Sequence, residues 1–337
     1  MKKSCFSTLL FLFFCNISFS QKISSADLKI LRKKEDSLKL FSSQIIGGIT
    51  PADRLNADSI FTKMLVRALK ITNSFYYPFD SLVSISKLVP QDSSFKIFTW
   101  QMNVNDEVTR QHGAIQMKTK DGSLKLFPLI DKSDNTKDII DTVGNNFGWI
   151  GAVYYQLVEK QASGRNYYTL LGYDENNMSS NKKIVEVLTF DNGSPVFGGN
   201  FFSPVNEIFA NAGSRFIFEY KKNAGPRLTY DKDQDMIIYE HLISETNEPQ
   251  KRYTYIPDGD YEGLQWKDGK WMHVEKVFTQ KLKEGEEPLP NPLLDKDGNL
   301  DATKLKDNLP AEDENAKESP AQKTETNTKK PVNKKPR

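Results

Sequence analysis

From Phe95 onward one pattern recurs: a run of β-branched and aromatic residues, a turn signal, then another such run. FKIFTWQMNV, HGAIQMKT, LKLFPLI, WIGAVYYQLV, NYYTLLGY, KIVEVLTF, RFIFEY, RLTY, MIIYEHLI and WMHVEKVF carry the Val, Ile, Thr and aromatic enrichment of strands. Asp121–Gly122, Asn192–Gly193 and Asp268–Gly269 lie between successive runs. Each pair suits a type I′ turn, whose central residues both need positive φ. Short runs and tight turns imply antiparallel meanders, arranged as a sandwich, an open barrel or a propeller-like sheet. No repeat is clean enough to define propeller blades. A two-residue turn at Asp268–Gly269 sets Lys267 opposite Lys270 and Trp266 opposite Trp271. The two indoles then share one sheet face. They read as a cross-strand pair covering a sheet edge or, alternatively, as a sugar-stacking platform.

Ahead of Pro90 the pattern is helical. Ser24 and Asp27 have capping-box spacing, and Leu28, Leu31, Leu38, Phe41 and Ile45 fall near one face. Gly47–Gly48 breaks that helix. Thr50, Pro51 and Asp53 then supply a cap, a first-turn proline and an acid for the helix dipole. Ile60, Phe61, Met64, Leu65, Ala68 and Leu69 make the second helix markedly apolar. A stripe this apolar is core packed on the sheets, the alternative being a helix pair that binds a partner.

The two ends differ from this body. Lys2 and Lys3, the apolar Leu9–Phe14 and the small residues Ser18 and Ser20 make a signal peptide cleaved after Ser20. A lipid anchor at Cys15 would need small residues where Phe13 and Phe14 stand. Cys5 and Cys15 are the only two cysteines, so the mature chain has none, which removes thiolate metal sites and cysteine nucleophiles. From about Lys283 the chain loses its aromatic residues and cannot bury enough apolar surface to fold. Its basic tip, Lys329, Lys330, Lys334, Lys335 and Arg337, suits a polyanionic surface. The predicted division is therefore a signal peptide at 1–20, a helical region at 21–90, an antiparallel β domain at 91–283 and a disordered polar tail at 284–337. The fold class is mainly β (α+β), with an N-terminal helical pair followed by a β-meander sandwich or open barrel. Export is the expected fate, and the resemblance described below makes the periplasm the expected home, with secretion or the outer surface as the alternative.

Chemistry is sparse. Three histidines, His112, His241 and His273, show no HExxH spacing. Glu240 and His241 are neighbours in a strand and point to opposite faces, although His241 and His273 could meet in space. No GxSxG elbow, phosphate-binding loop or dinucleotide fingerprint occurs. Glu186, Glu219, Glu240 and Glu275 lie in strand-like runs, where buried carboxylates would matter. Asp295, Asp297, Asn299 and Asp301 have the alternating oxygen spacing of a calcium loop, but Leu300 and Lys306 replace its glycine and its bidentate glutamate. Calcium is the one cofactor the pattern admits; otherwise none is implied. A second acidic cluster, Asp231, Asp233 and Asp235, reads as a solvated hairpin turn. The net charge of +2 leaves no nucleic-acid footprint. The loop from Asp174 to Asn181 reads first as a bend, and Asp174, Asn176 and Asn177 are its ligand candidates.

GWIGAVYY at 148–155, NYYTLLGYDENN at 166–177, KKIVEVLTFDNGSPVFG at 182–198 and RFIFEY at 215–220 resemble successive blocks of an uncharacterised family of exported Bacteroidota proteins. That resemblance implies an envelope or secreted location and carries no established activity. The leading expectation is a non-enzymatic envelope module that binds an envelope protein or a polysaccharide. The alternatives are a carbohydrate-active or other hydrolase with a scattered carboxylate and aromatic site, and a calcium-dependent module.

Overall fold

Local capping chemistry starts both helices. The Ser24 hydroxyl accepts from the Asp27 backbone N–H at 3.0 Å and opens α1 (Ser25–Gly47). Thr50 and Asp53 satisfy each other's backbone N–H in a complete capping box at the start of α2 (Pro51–Leu69). The structure is a computed structural model that describes residues 22–105, 107–203 and 213–278. The signal peptide and tail read from the sequence lie outside the described residues. Among those described, no helix is long and apolar enough to cross a membrane.

Three antiparallel sheets follow the helices. The first orders β1 (Ser86–Leu88), β2 (Phe95–Asn103), β3 (Thr109–Met117) and β4 (Lys125–Ile130) in sequence. The second holds β5 (Gly144–Asn145), β6 (Val153–Ala162), β7 (Arg165–Asp174), β8 (Ser180–Asp191), β9 (Ser194–Phe197) and β10 (Arg215–Lys221), in the order β5-β9-β8-β7-β6 with β10 also on β8. The third orders β11 (Leu228–Asp231), β12 (Met236–Ser244), β13 (Tyr255–Lys267) and β14 (Lys270–Val274) in sequence. Helices and sheets fall in one compact unit that runs to Thr279, and β1 begins before the predicted boundary at residue 90.

The layers follow from alternation along the strands. Phe98, Trp100 and Met102 on one face of β2 pack beneath Leu31, Leu38, Phe61 and Leu65 of the helices. Phe95 and Ile97 on its other face meet Tyr168, Leu170, Ile184 and Leu188 of the second sheet. The reverse face of that sheet, with Leu171, Val185, Val187 and Phe218, packs on Leu228, Ile237, Tyr239, Leu264 and Trp271 of the third. The chain is thus mainly β, a helical pair followed by antiparallel meanders, as the sequence implied, with the meanders stacked as three sheets. Two of the sheets are buried on both faces. The helical pair is core, as its apolar stripe implied.

A buried polar network ties an irregular segment to the second sheet. Arg215 and Glu186, both fully buried, pair at 3.1 Å. Arg215 Nη1 also donates to the carbonyls of Ile139 and Thr142. Tyr154 donates to Glu186 and accepts from the Trp149 indole at 2.7 Å.

Turn chemistry held at two of the three predicted sites. Asp191 pairs with Ser194 across Asn192 and Gly193, at φ 49° and 76°. Lys267 pairs with Lys270 across Asp268 and Gly269, at φ 50° and 85°. Asp121–Gly122 is different: β3 and β4 stop at Met117 and Lys125, so the connection is longer than a type I′ turn. There Asp121 accepts from the Ser123 backbone N–H, and the Gly122 carbonyl accepts from the Asn73 N–H at 2.9 Å. The contact with residues after α2 decides this tip, not its own dipeptide.

Candidate functional site

The bend between β7 and β8 is built from its own polar side chains. Asp174 Oδ1 accepts from the Asn176 backbone N–H at 2.9 Å and from Gln111 Nε2 at 2.6 Å. Asn176 takes a left-handed backbone, φ 51°, which asparagine tolerates. Its amide donates to Ser180 Oγ at 2.7 Å. Asn177 Oδ1 accepts from the N–H groups of Ser179 and Ser180 at 2.8 and 3.0 Å. Burial raises the Asp174 carboxyl above its usual range, against the opposing effects of the Asn176 N–H, Lys182 and Gln111. The bend therefore holds itself without a ligand, and Asp174 and Asn176 face inward on protein partners.

Asn177 is exposed and stands between two clefts. On one side, a polar cleft of about 230 Å³ is bordered by Arg54, Asn103, Glu107, Glu175, Asn177 and Lys222. On the other, an open cleft of about 480 Å³ is bordered by Glu107, Asn177, Met178, Glu219 and Tyr253. Glu107 and Asn177 belong to both, so the two make one continuous groove. It runs from the α1–α2 turn across the β2–β3 tip to the third sheet.

Hydrogen bonds tie the groove floor together. Arg54 donates through Nε to the Asn103 carbonyl at 2.5 Å and through Nη1 to the Gly48 carbonyl at 2.7 Å. Lys222 reaches the Glu175 carbonyl at 3.0 Å and its carboxylate at 3.3 Å. Gln101 Nε2 donates to the other Glu175 oxygen at 3.0 Å. Two buried acceptors near it, Asn103 Oδ1 and Gln101 Oε1, have no donor among the described residues. In the wider cleft Tyr253 and Met178 are 45% and 63% exposed, an aromatic ring and a thioether beside carboxylates and amides. Such a set offers both donors and acceptors of hydrogen bonds beside an aromatic face.

The tryptophan pair lies elsewhere. Trp266 and Trp271 face each other in register with ring centroids 5.3 Å apart. Trp271 is fully buried and its indole donates to Thr169 Oγ1 of the second sheet at 2.9 Å. Trp266 is half-buried against Tyr167. The pair forms a seam between the second and third sheets.

His241 and His273 do converge. The register shift between Glu240 and Leu242 brings His241 Nε2 to 3.9 Å from Glu262, while His273 Nε2 lies 2.8 Å from the same carboxylate. Tyr239 donates to that carboxylate at 2.9 Å, and Asp258 holds His241 Nδ1 at 2.7 Å. The imidazole nitrogens are thus directed at carboxylates. Among the described residues no group of three or more His, Cys, Asp or Glu side chains is disposed to hold a metal. The calcium candidates Asp295, Asp297, Asn299 and Asp301 lie outside the described residues. The strand glutamates have protein donors: Glu186 from Arg215 and Tyr154, Glu219 from Ser180, and Glu240 from the Arg227 N–H.

Arg54, Asn103, Lys222 and Tyr253 escape sequence reasoning because they come from four separate parts of the chain. Comparison with family models, with curated proteins and with solved structures finds no match for the chain.

Proposed function

We propose that this chain is an exported, non-enzymatic binding module of the bacterial envelope, and that its groove holds a segment of polysaccharide. One observation carries the reading: the groove joins amide, carboxylate and cationic groups, and an exposed tyrosine stands at its wider end. Hydroxyl groups both donate to carboxylate and amide oxygens and accept from cationic and amide donors, and an aromatic face covers the apolar face of a sugar ring. The signal-like N-terminus, the cysteine-free mature chain and the resemblance to exported Bacteroidota proteins support the envelope location.

The test is a glycan array followed by calorimetric titration with the mature chain, Tyr253→Ala and Asn177→Ala. Both side chains are exposed, so neither change threatens the core. The reading expects saturable binding to an envelope saccharide, weakened about tenfold or more by Tyr253→Ala. No saccharide bound at millimolar concentration, or equal affinity in both variants, would overturn it.

A further inference from the structure

Lys96 occupies an unusual position for a lysine. It sits inside β2 on the face turned toward the helices and is only 5% exposed. Its ammonium donates to the carbonyls of Phe75 and Tyr77, each at 2.8 Å. Three rings surround it, those of Phe75, Phe79 and Phe98, with centroids 5.6 to 5.9 Å from Nζ. An ammonium has three N–H groups, so these carbonyls use two.

The wall around it is fixed in advance. Glu35 of α1 accepts from the Tyr77 hydroxyl and from the Ser81 backbone N–H, the latter at 2.7 Å. Phe79 is held at φ 57°, a left-handed backbone that a bulky residue adopts only when its surroundings impose it. Fastening the loop at 75–77 accounts for the two carbonyl contacts. It does not account for the rest of the surface. Lys96 lines an open cleft of about 470 Å³, together with Lys87 and Lys118. Among the described residues, none of these three ammonium groups has a carboxylate oxygen within 4.0 Å. Asp80 is the single acid among the described residues that line the cleft, so cations outnumber it three to one. The remaining walls are Ser93 and the aromatic or apolar Phe75, Pro78, Tyr76 and Val89, the last two 40% and 44% exposed.

A buried ammonium without a counter-ion is costly, and an arriving anion relieves that cost. Apolar walls contribute binding only if the anion carries an apolar body. We infer that this cleft binds a small amphipathic monoanion, a carboxylate on an aliphatic or aryl body, with the carboxylate on Lys96 and Lys118 and the body against Tyr76 and Val89. The volume lies in the range of small-molecule sites. The cleft shares no lining residue with the polar groove, so its occupancy is independent of the polysaccharide reading.

Decanoate is the probe, titrated by calorimetry into the mature chain, with decanol and inorganic phosphate as the body and the charge alone. Binding is expected with a dissociation constant on the order of 10–100 µM, and neither control should compete at that concentration. Lys96→Met should weaken decanoate more than about tenfold, and the exposed Lys118→Gln about threefold. Lys118→Gln keeps the test valid if Lys96→Met fails to fold. Equal affinity for decanol and decanoate, or affinity unchanged by Lys118→Gln, overturns the proposal. So does co-sedimentation with phosphatidylglycerol vesicles by a chain that binds no decanoate, because the anion would then be a membrane surface.

Discussion

Glu186 and Arg215 show how a buried charge becomes a constraint on the chain. Each is fully buried, and the pair is shared with Tyr154 and with carbonyls of the segment before β6. Burial and the adjacent Glu186 carboxylate push the Tyr154 phenol well above its usual range, so it remains a donor. Arg215→Met leaves a desolvated carboxylate and should cost about 3–5 kcal/mol, read as a lower urea midpoint. Arg215→Met combined with Glu186→Leu should lose less than the single change, since no charge is then stranded. Lys96 makes a complementary prediction in pH. Burial, aided by the positive charge of Lys87, lowers its ammonium to about 8 from 10.5. Between those values the unfolded chain holds a proton that the native chain has released, so raising pH favours the native state. Lys96 should therefore add up to about 3 kcal/mol of stability as pH climbs through this window. Buried phenols such as Tyr77 are raised, and they remove stability as pH passes the unfolded tyrosine value of 10.0. The difference in urea midpoint between the parent and Lys96→Met isolates the lysine, and it should grow in the parent's favour from pH 8 to 10. A difference independent of pH would contradict a depressed ammonium.

At the scale of the element, turn geometry decides what a sequence reveals. The Asp268–Gly269 turn fixes the register of β13 and β14, and Trp266 opposite Trp271 follows from counting outward. Gly269 sits at φ 85°, where a Cβ is strained even though the nearest atom it would meet lies 3.5 Å away. Gly269→Ala should cost about 1–2 kcal/mol. Gly225→Ala, at a loop position with nothing within 4 Å and no left-handed backbone, should be neutral or slightly stabilising. Thermal unfolding of the two variants separates backbone strain from lost flexibility. Both helices were equally legible, because Ser24, Thr50 and Asp53 mark their starts with local hydrogen bonds. Asp121–Gly122 was not, because Asn73, distant in sequence, holds its tip. The layering was also hidden. In β8, Ile184 and Leu188 pack toward the first sheet while Val185 and Val187 pack toward the third. Burial on both faces erases the alternation that tells which partner a strand will meet. The groove was legible only at Asn177, since its other groups come together through tertiary contacts alone.

For the molecule as a whole, the stacking makes the helical pair indispensable to the sheets. The first sheet has two apolar faces, one toward the second sheet and one toward α1 and α2. Trp100 marks the helical side: it is 3% exposed, stacks edge-on against Phe61 at 5.2 Å and donates to Asp58 of α2 at 2.7 Å. Asp58 also holds His112 of β3 at 2.8 Å, so one carboxylate fastens the second helix to two adjacent strands. Removing residues 22–70 would expose Phe98, Trp100 and Met102 as a contiguous apolar strip and strand the polar groups that Asp58 satisfies. Strips of that kind drive association instead of leaving a stable monomer. A chain that starts at Ile71 should therefore elute as aggregate or unfold at room temperature, with tryptophan emission shifted to the red. Adding a peptide of residues 22–70 should restore part of the blue emission, because the strip and its cover are complementary. A truncated chain that remained monomeric with native emission would mean that the three sheets fold without the helices. The pair would then be an accessory laid on a finished β-domain, and its apolar stripe would be a surface for exchange with a partner.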